Sequence, residues 1–120
     1  MMRVLIADDN PVSRELVRDI LEPNGYEVIE AEDGVAALRK IEEEYPDAVL
    51  LDIEMPRLNG YQVIQRLRED PRFADLRVAA FTAYAMKDDR EKALAAGFDD
   101  YITKPVSPAV LRTLIARLVA

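Results

Sequence analysis

The feature that most constrains this chain is a fivefold alternation of short apolar runs with amphipathic stretches. Val4-Leu5-Ile6-Ala7, Tyr26 to Ala31, Ala48-Val49-Leu50-Leu51, Val78-Ala79-Ala80-Phe81 and Tyr101-Ile102 are strand-sized. Helical patterns follow each. Asn10 and Pro11 supply an N-cap and a first helical residue, with Val12, Leu16, Ile20 and Leu21 expected on the inner face. Asn24-Gly25 ends that helix. Asp33 caps the second, whose inner face is Ala37, Leu38 and Ile41 and which Pro46 ends. After a loop from Met55 to Gly60, the third buries Val63, Ile64 and Leu67 and stops before Pro71. The fourth, Lys87 to Ala96, has only a thin stripe at Ala93 and Leu94 and closes at Gly97. Ser107 and Pro108 start the fifth, with Val110, Leu111, Leu114, Ile115 and Leu118 inward.

Repeated strand–helix units imply an α/β fold, a parallel sheet with helices on both faces. Right-handed crossovers leave few topologies, and strand order 2-1-3-4-5 is one of them. The third run is the most apolar and belongs in the centre; the second alternates with polar residues and suits an edge. A length of 120 residues is enough for one domain, expected to span 1–120.

Composition narrows the chemistry. A formal charge of −7 argues against nucleic acid and against anionic membrane surfaces. No run is long enough to span a membrane, and the start resembles no signal peptide, so cytoplasmic location is the expectation. Cysteine and histidine are both absent, which excludes disulfides, Ser-His-Asp triads and His-rich zinc sites. Hard-oxygen ions, Mg²⁺ first and Mn²⁺ or Ca²⁺ as substitutes, are what such a chain binds.

In this topology ligands bind beyond the carboxyl ends of the strands, between the first and third. Asp8 and Asp9 follow the first strand, Asp52 the third, Thr82 the fourth and Lys104 the fifth. Each has an ordinary reading alone: helix cap, strand-end threonine, surface lysine. Together they place three carboxylates, a hydroxyl and an ammonium at one rim. Two carboxylates 4 Å apart at an effective dielectric near 20 repel by about 4 kcal/mol, so the cluster calls for a cation. Asp9 and Asp52 are the expected direct ligands, and Asp8 is expected to orient a metal-bound water. Asp52, directly after the most apolar run, is the candidate nucleophile for an aspartyl phosphate. Lys104 would bind a phosphoryl oxygen, and Thr82 would donate a hydrogen bond to one.

The segments Ala7-Asp8-Asp9-Asn10, Leu51-Asp52-Ile53-Glu54-Met55-Pro56, Asn59-Gly60, Phe81-Thr82-Ala83, Ala96-Gly97-Phe98-Asp99-Asp100-Tyr101 and Thr103-Lys104-Pro105 resemble, in this order and spacing, the receiver domains of response regulators. The likeness runs from Val4 to about Leu118, essentially the whole chain. It implies a flavodoxin-like (βα)5 fold and two-component signalling. Asp52 would accept a phosphoryl group from a partner phosphohistidine, on a histidine kinase or a histidine phosphotransfer protein, with Mg²⁺ required. The resemblance makes the backbone carbonyl of Glu54 a further metal ligand and Thr82 and Tyr101 the switch pair. It also implies a cis Lys104-Pro105 peptide. Such a chain is a phospho-acceptor switch, not an enzyme in the ordinary sense, though it catalyses its own phosphotransfer and dephosphorylation. The expected output is repacking of helix 4, strand 5 and helix 5 against a downstream protein, as a monomer or a weak phosphorylation-dependent dimer. Glu54 and Tyr84 border the path of the hydrolytic water, and their bulk is expected to prolong the signal.

Three rivals share parts of this pattern. A flavodoxin would cradle a flavin phosphate in its first loop, where Asp8 and Asp9 would repel one. A haloacid-dehalogenase-type phosphatase resembles the nucleophile chemistry but places an Asp-x-Asp motif after its first strand. A degenerate receiver acting only as a docking module would not need the complete acidic set.

Overall fold

The computed structural model describes residues 1–83 and 88–120. Five strands form one parallel sheet in the order β2-β1-β3-β4-β5: β1 (Arg3–Ala7), β2 (Glu27–Ala31), β3 (Ala48–Asp52), β4 (Val78–Thr82) and β5 (Asp100–Thr103). The central β3 is buried at every position, as its unbroken apolar run requires, and β2 lies at an edge.

Alternation along the strands divides the core between the two faces. Leu5, Ala7, Val49, Leu51, Val78 and Ala80 pack toward α2 (Gly34–Glu44), α3 (Gly60–Glu69) and α4 (Asp89–Ala96). Val4, Ile6, Ala48, Leu50, Ala79 and Phe81 pack toward α1 (Pro11–Leu21) and α5 (Pro108–Val119).

Local signals account for the helix ends. Asn10 Oδ1 accepts from Val12 N at 2.9 Å and Asp33 Oδ1 from Ala36 N at 2.8 Å. Asn59 and Gln62 form a reciprocal capping box, each backbone N–H donating to the other side chain at 2.9 Å. Ser107 occupies the N-cap position of α5, but its side chain makes no capping hydrogen bond.

Three expected inner faces need correction. On α1 the buried residues are Val17, Ile20 and Leu21, whereas Val12 is 70% and Leu16 40% exposed. At about 100° per residue, Val12 lies about 140° round the helix from Val17, off the contact arc. Val110 on α5 is likewise exposed beside the buried Leu111, Leu114, Ile115 and Leu118. On α4 only Ala93 is buried, and Leu94 faces outward. The expected start of α4 at Lys87 lies outside the described residues.

Candidate functional site

Parallel pairing brings the strand ends to one rim. β1 runs beside β3 with Ala7 opposite Leu51, so Asp8 emerges next to Asp52. Phe81 faces Asp52 across the next pair, and Thr82 faces Thr103, the residue before Lys104. Carboxylate oxygens of Asp8, Asp9 and Asp52 lie within 4.8 Å of one another. Asp8 and Asp52 are buried and Asp9 is exposed, so the cluster has a closed floor and an open mouth.

Lys104 answers two of these three carboxylates at close range. Lys104 Nζ lies 2.6 Å from Asp8 Oδ2 and 3.1 Å from Asp52 Oδ2. Its ammonium also stands 4.9 Å from the centroid of the Phe81 ring, a cation–π contact with no signal in the one-dimensional pattern. Asp52 Oδ1 accepts from Glu54 N at 3.0 Å, and Asp8 Oδ1 from Asn10 N at 2.9 Å. Asp8 Oδ2 is buried without a hydrogen bond of ordinary geometry, its near neighbour being the Lys104 ammonium.

The acceptor strand is tightly backed. A Cβ added at Gly60 would lie 2.6 Å from Asp52 O and 2.7 Å from Ile53 Cα, so only glycine lets α3 start this close to the site. Gly60 N donates to Ile53 O at 2.9 Å, tying the loop back to the strand it leaves.

Burial dominates the electrostatics of Asp52. It raises the carboxyl from 3.8 to about 6; the Glu54 amide opposes this, the Asp8 charge adds to it, and Lys104 opposes it. Burial also pulls on the Lys104 ammonium, but the bond to Asp8 and the charge of Asp52 outweigh it and the net shift is upward.

These residues fit a hard divalent ion. The donors are carboxylate oxygens, one of them a buried acceptor with no well-formed hydrogen bond. Mg²⁺ holds oxygens at about 2.1 Å, so its ligand oxygens sit about 3–4 Å apart, within small side-chain rotations of the present spacing. Among the described residues, Asp8, Asp9 and Asp52 are the side chains that could hold one.

The remaining expected site residues are placed as follows. Thr82 is buried at the end of β4, and its carbonyl accepts from Lys104 N at 2.8 Å. Glu54 is exposed beside Asp52 and contacts it through its amide. Tyr101 is half-buried at the start of β5; burial and then the Asp89 charge raise its hydroxyl pKa. The Lys104-Pro105 peptide is cis. Tyr84 lies outside the described residues. Sequence reasoning missed Arg14, whose guanidinium reaches the main chain of Asp8 at 2.7 Å. It also missed an apolar groove beside Lys104, lined by Val12, Leu16, Phe81, Pro105 and Val106.

The family model described as the response regulator receiver domain matches residues 4–116. A 14.6 kDa protein of Leptolyngbya boryana is 42% identical over 114 residues, covering 95% of this chain and 87% of that protein. The polar-differentiation response regulator DivK of Brucella ovis is 38% identical over 112 residues, covering 92% and 91% of the two chains. The receiver domain of the sensor histidine kinase PA1611 from Pseudomonas aeruginosa superposes with a TM-score of 0.90 at 34% identity. The match covers 98% of this chain and 97% of that one, whose structure has a magnesium ion coordinated in its active-site cleft.

Proposed function

The chain belongs to the response regulator receiver domains of two-component signalling, and from that premise we propose that it accepts a phosphoryl group on Asp52 in a Mg²⁺-dependent reaction. The observation that carries this reading is the cluster of Asp8, Asp9 and Asp52 oxygens within 4.8 Å, with Lys104 closing one side. The magnesium-bearing cleft of the similar Pseudomonas receiver supports the choice of ion.

Mg²⁺, when bound, supplies positive charge against the oxygens of the incoming phosphoryl group. This chain has no histidine, so a phosphohistidine donor belongs to a partner, a histidine kinase or a histidine phosphotransfer protein. An Asp52 carboxylate oxygen forms the new O–P bond as the donor's P–N bond breaks, and the electron pair leaves with the imidazole nitrogen. A carboxyl raised to about 6 is still mostly ionised at neutral pH and more basic than an ordinary aspartate. Lys104 turns from Asp52 to a phosphoryl oxygen, and Thr82 donates its hydroxyl to another. That motion opens space for Tyr101, and the surface of α4, β5 and α5 repacks toward a downstream protein. Moving a two-state equilibrium from 1:99 to 99:1 takes about 5.5 kcal/mol, within reach of a few charge-assisted bonds.

The exposed Val12 and Leu16 fit the partner in this reading. They border a groove that runs to Lys104, where a donor protein has to approach. Changing Val12 to Lys should slow transfer from a phosphohistidine protein and leave phosphorylation by acetyl phosphate unchanged. Equal loss with both donors would remove this role for the groove.

The direct test is intact-mass measurement after incubation with Mg²⁺ and acetyl phosphate. The wild type should gain one phosphoryl group; Asp52→Asn, or chelation of the metal, should prevent it. A modified Asp52→Asn protein would refute the assignment. The exposed Glu54 at the mouth is expected to retard hydrolysis, so Glu54→Ala should shorten the phosphoryl lifetime; an unchanged lifetime removes that role.

A further inference from the structure

The acidic loop is held at three points. Asp8 N donates to Ala31 O at 3.0 Å, which ties the loop to β2. Asp8 Oδ1 accepts from Asn10 N at 2.9 Å. The third point is the Asp8 carbonyl, which accepts from Arg14 Nη1 at 2.7 Å. Arg14 sits on the first turns of α1 with only 17% of its side chain exposed. Its Nε donates to Glu30 Oε1 at 3.0 Å, and Glu30 in turn pairs with Arg18 Nη2 at 2.9 Å. A chain of contacts thus runs from α1 and β2 into the peptide that joins Asp8 to Asp9.

That peptide is planar, so fixing the direction of its carbonyl also fixes the entry of the backbone into Asp9. Asp9 is the exposed member of the carboxylate cluster and the one with the most freedom to turn away. We propose that Arg14 is a positioning residue for the divalent-ion site, held in place by Glu30 and acting through the Asp8–Asp9 main chain. The inference rests on the Mg²⁺-dependent reading above and adds a residue to it. Arg14 touches neither the ion nor the phosphoryl group.

Two effects of Arg14 on metal affinity have opposite signs. As a positive charge near a cation site it weakens binding, so its removal would tighten Mg²⁺. As a clamp on the loop it strengthens binding, so its removal would weaken Mg²⁺. Outer contacts that orient metal ligands typically change affinity by about tenfold or more.

Titration calorimetry of the full chain with MgCl₂ separates these effects. Wild type should bind. Arg14→Gln should bind about tenfold more weakly. Arg14→Lys, which keeps charge and one donor but not the fork, should fall between. Glu30→Gln should weaken binding by a smaller factor. In the metal-free protein, the amide NMR signals of Asp9 and Asn10 should shift in Arg14→Gln while those of α5 stay in place. Equal or tighter Mg²⁺ binding by Arg14→Gln overturns the proposal. If that variant does not fold, unchanged affinity in both Arg14→Lys and Glu30→Gln overturns it. A wild type that binds no Mg²⁺ defeats the metal reading itself, and this inference with it. A wild type that binds while its variants bind equally well defeats the role of Arg14 alone.

Discussion

At the amino rim of the sheet, Asp99 Oδ2 accepts from Val78 N at 2.8 Å and lies 3.0 Å from Arg68, while Asp47 Oδ2 accepts from Arg3 N at 2.7 Å. At the carboxyl rim, Asp8, Asp9 and Asp52 crowd within 4.8 Å, with Lys104 in contact with Asp8 and Asp52. The same residue type is used in two ways. On one rim each aspartate finds donors and ties a loop to a strand. On the other, carboxylates are set against each other, and burial raises Asp52 to about 6. The amino rim gains stability from its charges. The carboxyl rim gives some up and keeps a carboxylate cluster that a cation would relieve.

Removing the buried carboxylate should produce the largest effect. With divalent ions chelated, Asp52 titrates near 6 in the folded chain and near 3.8 when unfolded. The folded state holds the proton more tightly. Below 3.8 both states are protonated and there is no penalty. As pH rises from 3.8 through about 6, folding stability is progressively lost. The full difference corresponds to about 3 kcal/mol. Asp52→Asn should therefore be about 2–3 kcal/mol more stable than wild type at neutral pH, the advantage disappearing in acid. Urea denaturation in EDTA on both sides of this range tests it. A neutral or destabilising substitution at neutral pH would show that the carboxyl rim carries no strain of this kind.

The amino rim should respond in the opposite direction. Arg68 donates to the carbonyls of Phe73, Ala74, Leu76 and Gly97 and to Asp99, joining α3 to the turn before β4 and to the end of α4. Arg68→Ala should cost about 2 kcal/mol, since several partly buried acceptors lose a charged donor. Arg68→Lys should recover little of it, because an ammonium cannot span these acceptors. Asp47→Ala should cost less, about 0.5–1 kcal/mol, because Arg3 N is near solvent and water replaces the lost acceptor. Thermal or urea unfolding reads both; a stabilising result for either would break the contrast between the rims.

Much of this contrast was legible in the residues, for a definable reason. Strand order, the caps at Asn10 and Asp33, and the meeting of Asp8, Asp9, Asp52 and Lys104 follow from period, turn chemistry and parallel pairing. Arg14 and Arg68 were not legible. Both act on backbone carbonyls, which carry no sequence signature, and nothing in a one-dimensional pattern distinguishes them from solvated arginines. The exposed Val12, Leu16 and Val110 misled for a related reason: apolar identity marks what water disfavours, not which neighbour covers it. Of the three, Val12 and Leu16 border the groove beside Lys104.

The smallest predicted effect tests backbone strain, which both rims share: Tyr45, just before β3 at the amino rim, has φ of 50°. Arg57, in the loop between β3 and α3, has φ of 72°. Side chains other than glycine pay about 1–2 kcal/mol there. Its ion pair with Asp33 is 3.6 Å long and Arg57 is 67% exposed, so the pair contributes little. Arg57→Gly relieves the backbone but enlarges the freedom of the unfolded chain, which offsets about 0.5–1 kcal/mol. The net expectation is a gain of about 0.5 kcal/mol. Arg57→Ala keeps the Cβ and loses only the weak pair, so it should be neutral or slightly worse. That ordering, glycine above arginine and alanine at or below it, assigns the effect to the backbone. Equal gains from glycine and alanine would assign it instead to removal of the arginine side chain, and the Arg57 backbone would then carry no measurable strain.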